Sequence, residues 1–227
     1  MKKLLMVLAS ASLLTLAACG GNGEEKASSE SKSGEEAKPT KADQKEVSNK
    51  PEKDEDGNIV FTKVGQKGKT EMGTMELVKI KDVNQTVNVA PLTVTVDKIK
   101  IFKVTNPTAD FVDTIDMQAD EKVGKEFFYM QLTYSAENPE EKNIQWYSVN
   151  KLVLSNGQQI DGISKDFIYD DADEDDVFYG KVKKDYVDAF VIKDGDINNV
   201  KLIFAETLDE DTYDTITSEV QAEFELK

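Results

Sequence analysis

The side chains able to do chemistry are few in kind. Cys19 is the only cysteine, there is no histidine, and all 28 basic residues are lysine. A nucleophile working with an imidazole base therefore has no candidate, and a zinc site of thiolates and imidazoles has none either. Oxygen chemistry is left, in the form of 44 aspartates and glutamates. A facing pair of carboxylates can hydrolyse a glycosidic bond. A converging set of about six to eight oxygens can hold calcium. The densest supply is 161–176, where Asp161, Asp166, Asp170, Asp171, Asp173, Glu174, Asp175 and Asp176 stand against Lys165 alone.

Within that stretch Asp170, Asp171, Asp173, Asp175 and Asp176 are the candidate calcium ligands. Asp171, Asp173 and Asp175 have the alternate spacing that opens an EF-hand. Asp176 stands where that loop needs glycine, however, and Val182 where it needs glutamate, so the stretch is not an EF-hand. It reads as a solvated acidic loop or lid, with a weak calcium site as the alternative. Phe167, Ile168, Tyr169, Val177, Phe178 and Tyr179 interleave with the acids and would anchor the loop or offer rings to a partner. No acid reads as set within an apolar strand in a way that would raise its pKa, so a wall hydrolase has no marked pair of carboxylates and stands as the third reading. Gly68-Lys69-Thr70 imitates the end of a phosphate-binding loop, but Lys63 occupies the place of the first glycine. Asp54, Asp56 and Asn58 around Gly57 read as a turn.

Three kinds of segment must position these groups. Lys2 and Lys3, an apolar run over 4–16 and the small residues Ala17 and Ala18 make an export signal over 1–18. The run is too short to cross a bilayer as a permanent helix. Residues 19–58 follow as a charged linker with Val47 as the only bulky aliphatic residue, a composition that cannot offset its own ordering entropy. It is expected to be a disordered tether. The formal charge is −16, and loss of Lys2 and Lys3 with the signal would make it −18. Such a chain repels phosphate polymers, so nucleic acid is not an expected partner.

From residue 59 the hydrophobic pattern takes the period of a strand. It alternates over 75–80 and 92–96, shifts phase at Asp97-Lys98, which predicts a bulge or a bend, and resumes at 99–101. The strongest strand is 126–134, and 200–204 is another. In 185–192 the apolar residues are Tyr186, Val187, Phe190 and Ile192. Asn156-Gly157 between strand-like flanks predicts a tight hairpin with both central residues at positive φ. Residues 105–125 suit a long loop with a helical turn near 111–117, and 218–226 fits a strand or a short helix. Phe127, Phe128, Tyr129, Trp146 and Tyr147 read as core and strand-face aromatics. About eight to ten short strands in 59–227, with no long helix, predict an all-β antiparallel sandwich.

Two resemblances add to this. Leu16-Ala17-Ala18-Cys19 resembles the lipobox of bacterial lipoproteins. It implies diacylglyceryl transfer to Cys19, cleavage before it, and a body held at the outer face of the cell membrane. The alternative is a free thiol beside an ordinary secretory cut. Residues 91–204 resemble the immunoglobulin-like domains of unknown function found on lipoproteins of Gram-positive bacteria. The likeness is carried by 92–96, by Gly124-Lys125-Glu126-Phe127 leading into 129–134 and Asn138, by 152–154 with Asn156-Gly157-Gln158, by Gly180, by Phe190-Val191 and by 200–204. It brings no catalytic residue with it. The expectation is a lipid-anchored, non-catalytic binding or accessory module with an unknown envelope partner and no cofactor. A calcium-dependent adhesive or sensing module is the second reading.

Overall fold

The structure, a computed structural model, describes residues 49–55, 57–168, 172 and 174–227. The signal, Cys19 and most of the linker lie outside the described residues, as do Asp170, Asp171 and Asp173. In chain order the elements are β1 (Glu52–Lys53), β2 (Ile59–Val60), β3 (Lys67–Thr70), β4 (Gly73–Val89), β5 (Leu92–Thr105), α1 (Ala109–Ala119), β6 (Glu126–Glu137), β7 (Ile144–Trp146) and β8 (Val149–Leu154). There follow β9 (Gln159–Asp161), β10 (Val177–Phe178), β11 (Lys183–Ile192), β12 (Asn199–Phe204), β13 (Thr207–Asp209), β14 (Thr215–Thr217) and β15 (Val220–Glu225). The protein is mostly β-sheet with one short helix, and every strand pairing is antiparallel.

One sheet has five strands in the order β11-β6-β5-β4-β3, and two have four, β15-β12-β8-β9 and β10-β7-β13-β14. The alternation that marks 126–134 as a strand also assigns its two faces. Met130, Leu132, Tyr134 and Ala136 enter a core shared with Leu152, Val200, Leu202 and Phe204 of one four-stranded sheet and Ile144, Trp146 and Phe178 of the other. Phe127 and Tyr129 point the opposite way and join Leu77, Phe102, Val104, Phe61, Phe167 and the helix residues Phe111, Ile115 and Ala119. The five-stranded sheet is thus covered on both faces at one end. Each fully buried Leu, Val, Ile or Phe contributes about 1.5–3 kcal/mol by leaving water.

Several elements differ from their sequence pattern. Segments 75–80 and 87–89, which look like two strands, are one 17-residue strand, β4. Its register shifts at Leu77/Lys79 and Asp82/Gln85, with Asn84 at φ 50°, and these irregularities break the alternation without ending the ladder. The bulge foreseen at Asp97-Lys98 is present, as a register shift between Val96 and Lys98. In 105–125 a full helix replaces the single turn. Thr108 caps it by accepting from the Phe111 N–H, and its buried stripe is Phe111, Ile115 and Ala119. A stripe of three among aspartates is too thin to stand out in the sequence. The Asn156-Gly157 hairpin forms, but only Gly157 has positive φ, at 83°. Leu154 accepts from the Gly157 N–H and donates to the Gln158 carbonyl. That pattern is a three-residue loop, a type I turn closed by a left-handed glycine. Residues 220–225 are strand, and the body reaches back to Asn49, since Glu52–Lys53 pair with Ile59–Val60.

Candidate functional site

The acidic connection between β9 and β11 is pinned at both ends by its own carboxylates. Asp161 Oδ1 accepts from the backbone N–H and the hydroxyl of Ser164, both at 2.9 Å. The Ser164 N–H holds the Asp161 carboxyl below the usual carboxylate range. Asp166 Oδ1 accepts from the Ile168 N–H at 3.0 Å and the Ala189 N–H at 2.7 Å, which ties the connection to β11. At the far end Asp175 Oδ1 accepts from the Val177 N–H at 3.0 Å. Asp176 Oδ2 accepts from Gln145 Nε2 at 3.0 Å, and its carbonyl takes the Trp146 N–H at 2.9 Å. Of the five candidate calcium ligands, the described pair Asp175 and Asp176 therefore act as acceptors that start β10 and dock it on β7. Among the described residues no three acidic, histidine or cysteine side chains are grouped so as to hold a metal ion.

One acid does stand inside an apolar strand. Asp188 lies in β11 opposite Leu132, on the face that carries Tyr186, Phe190 and Ile192 into the core, and is 3% exposed. The signal was in the sequence: 186, 188, 190 and 192 share one parity, and a charge at the second of them faces inward. Tyr134 meets the carboxylate, its hydroxyl 3.1 and 3.0 Å from the two oxygens. A phenol has one proton. With it given to Asp188, Ser148 is the donor in the 2.6 Å contact between the two hydroxyls. The Tyr134 ring stacks on Tyr186 at 4.9 Å, and Trp146 meets Tyr186 edge-on at 5.9 Å. Trp146 donates to the Ala205 carbonyl at 3.1 Å. A cavity of about 290 Å³ opens here, lined by Trp146, Tyr147, Ser148, Asp166, Asp176 and Asp188 among others.

Beside that cavity, around β7, β10 and β13, three tyrosines face solvent: Tyr147, Tyr179 and Tyr213 at 44%, 60% and 67% exposed. Strand alternation turns Trp146 inward and so turns Tyr147 outward, away from the core aromatics it was grouped with. Gln145 Nε2 donates to the Tyr147 hydroxyl at 2.8 Å as well as to Asp176. Partial burial raises the Tyr147 phenol above its ordinary pKa, and the Asp176 carboxylate adds to the rise. For Tyr179 the Asp175 carboxylate is the main cause of an upward shift, with Glu210 and Asp176 also contributing. Ion pairs among the described residues here join Lys142 to Asp209, which holds the Asp209 carboxyl low, and Lys181 to Glu141 at 2.8 Å. Lys184 lies over the Phe178 ring and donates to the Asp175 carbonyl, so the lysines of this face are engaged by the chain itself while its acceptors and rings face outward. The face suits cations, through charge-assisted hydrogen bonds and cation–π contact.

No family model matches this chain, and no curated protein sequence does. A crystal structure of a functionally unknown protein from Listeria monocytogenes EGD-e is similar over 68% of this chain and 89% of its own. The two share 15% identity and a TM-score of 0.46.

Proposed function

We propose that the chain is a lipid-anchored extracellular module of the cell envelope, non-catalytic, whose immunoglobulin-like sandwich presents the acidic tyrosine face to a cationic segment of another envelope protein. The anchor rests on Leu16-Ala17-Ala18-Cys19. Two acyl chains at Cys19 make such attachment stable where one would not. The binding half rests on one observation, the exposure of Tyr147, Tyr179 and Tyr213 between carboxylates. Exposed tyrosine is costly to keep in water and is the side chain interfaces favour, having a large rigid surface and a polar tip.

Replacing Cys19 by alanine should release the protein into the medium; retention at the membrane would remove the anchor. Replacing the three tyrosines by alanine should abolish crosslinking to the partner in intact cells, and rising salt should weaken it, as screening of an acidic face requires. Crosslinking unchanged by both would remove the binding face. A rise in melting temperature with calcium would instead assign Asp170, Asp171, Asp173, Asp175 and Asp176 to a metal-dependent contact.

A further inference from the structure

A second pocket lies on the opposite side of the five-stranded sheet. The β1–β2 ribbon and the turn after β3 border it, contributing Lys53, Ile59, Phe61 and Met72, and the sheet supplies Met75, Lys100, Phe102, Tyr129 and Gln131. Its volume is about 550 Å³, within the range of small-molecule sites. Phe102 stands opposite Tyr129 across β5 and β6, and Lys100 stands opposite Gln131, so all four share one face. The floor is aromatic: Phe102 stacks on Tyr129 at 5.0 Å and meets Phe61 edge-on at 5.4 Å.

Three polar side chains of this pocket, Tyr129, Lys100 and Gln131, have no acceptor among the described residues. Tyr129 is 2% exposed, and its hydroxyl has no hydrogen-bond partner among the described residues. No fully sealed side-chain polar atom is left unpartnered among those residues, so this hydroxyl opens into pocket space. Lys100 is half-buried and forms no ion pair or hydrogen bond with a described residue; Asp82, the nearby acid, pairs with Lys98 at 3.1 Å. Gln131 is likewise without a partner there. Buried polar groups in proteins are almost always satisfied. The Tyr129 hydroxyl is the buried exception, and the half-buried Lys100 and Gln131 stand beside it on the same face of the sheet, where an acceptor in the pocket would meet all three. Burial lowers the Lys100 pKa, with Lys98 adding to the effect, and burial raises that of Tyr129, so both gain from a nearby negative charge or acceptor. The charged residues lining the pocket are Lys53, Lys100 and Glu71, a local reversal in a chain of net charge −16.

We infer that this pocket binds a small organic monocarboxylate with an apolar body, its carboxylate taking hydrogen bonds from Tyr129 and Lys100 and its body lying on Phe61, Met75 and Phe102. Lys53 and Lys100 against Glu71 leave the lining with one net positive charge, which matches a single negative charge; a phosphate dianion would be left under-compensated in a partly desolvated site. The inference rests on the chain being a binding module and is independent of its anchor.

The test uses the full chain carrying Cys19→Ala, purified without detergent, with octanoate as probe and octanol as its uncharged control, followed by calorimetry. Octanoate should bind at one site. Octanol should bind about tenfold more weakly or worse, because it offers no charge to the ammonium. Lys100→Met should weaken octanoate by about tenfold or more and leave octanol unchanged. Tyr129→Phe, which removes a hydroxyl without a hydrogen-bond partner among the described residues, should keep the melting temperature while weakening octanoate several-fold. No heat with millimolar octanoate, or binding that neither substitution alters, would overturn the inference. Crosslinking through the tyrosine face, measured in intact cells with Cys19 retained, separates the two ideas: if it persists while octanoate fails, the pocket alone is wrong.

Discussion

The tyrosine face and the pocket by the β1–β2 ribbon are built on different sheets and have opposite deficits. Around β7 and β10 the described carboxylates meet donors from the chain itself: Ser164 and Ala189 N–H groups, Gln145, Tyr134. By the ribbon the donors of Tyr129, Lys100 and Gln131 meet nothing described. Density of charge in the sequence is therefore a poor guide to where a small ligand sits. The acid-rich stretch uses much of its charge to shape its own loop. The pocket, lined by three charged residues, has unspent hydrogen-bonding capacity. What the acidic side offers outward is its rings.

This contrast can be broken from its foundations upward. Trp146→Ala should have the largest effect, about 3–5 kcal/mol of stability lost in denaturant unfolding, since the ring is 1% exposed beneath the tyrosine face. It should also lose partner crosslinking before it loses octanoate binding. Tyr134→Phe removes a donor from the buried Asp188 carboxylate and should cost about 1.5–3 kcal/mol; a neutral result would mean that the carboxylate draws little from Tyr134. Thr108→Ala should cost about 1 kcal/mol through loss of the α1 cap. Its hydroxyl also donates to the Glu71 carbonyl at 2.9 Å, so octanoate affinity should fall with it, while tyrosine-face crosslinking stays.

The smallest effects are pH-dependent and run in opposite directions on the two sides. Asp161 and Asp209 have folded pKa values below their unfolded ones. The stability they add is present above about pH 4 and fades as pH falls through the folded values. Tyr129 is raised by burial. Its contribution is complete below about pH 10 and is lost as alkali ionises the unfolded phenol. Unfolding curves across pH should thus show an alkaline decline that Tyr129→Phe reduces and an acid decline that it leaves alone. An alkaline limb unmoved by that substitution would contradict the burial of this phenol.

Much of the scaffold was legible because period two is a direct imprint of a sheet with distinct faces. The phase shift at Asp97-Lys98, the run through Tyr134 and the Asn156-Gly157 reversal all follow from local geometry. The turn class at Asn156 did not, because a three-residue loop needs only one left-handed residue and the sequence favours either form. Asp188 is legible by parity, although its charge contradicts the inward position that parity assigns to it. The pocket was not legible. Alternation places Lys100 and Tyr129 on the face away from the main core, yet cannot say whether that face is wet. It is covered by Phe61, the β1–β2 ribbon and α1, which come from separate parts of the chain and are individually too short or too thinly apolar to announce a second core.

The ribbon itself is slight. It is held to itself by the pairs Glu52–Val60 and Lys53–Ile59, with the Gln66 amide donating to the Lys50 carbonyl and the Lys67 N–H to that of Asn49. A pull applied along the chain at Asn49 meets the ribbon and its turn, where Asn58 also donates to the Asp54 carboxylate, before it meets the long ladder joining β4, β5 and β6. The wall of the pocket would peel before the sheet felt the strain, which makes ligand release the first mechanical event in this molecule.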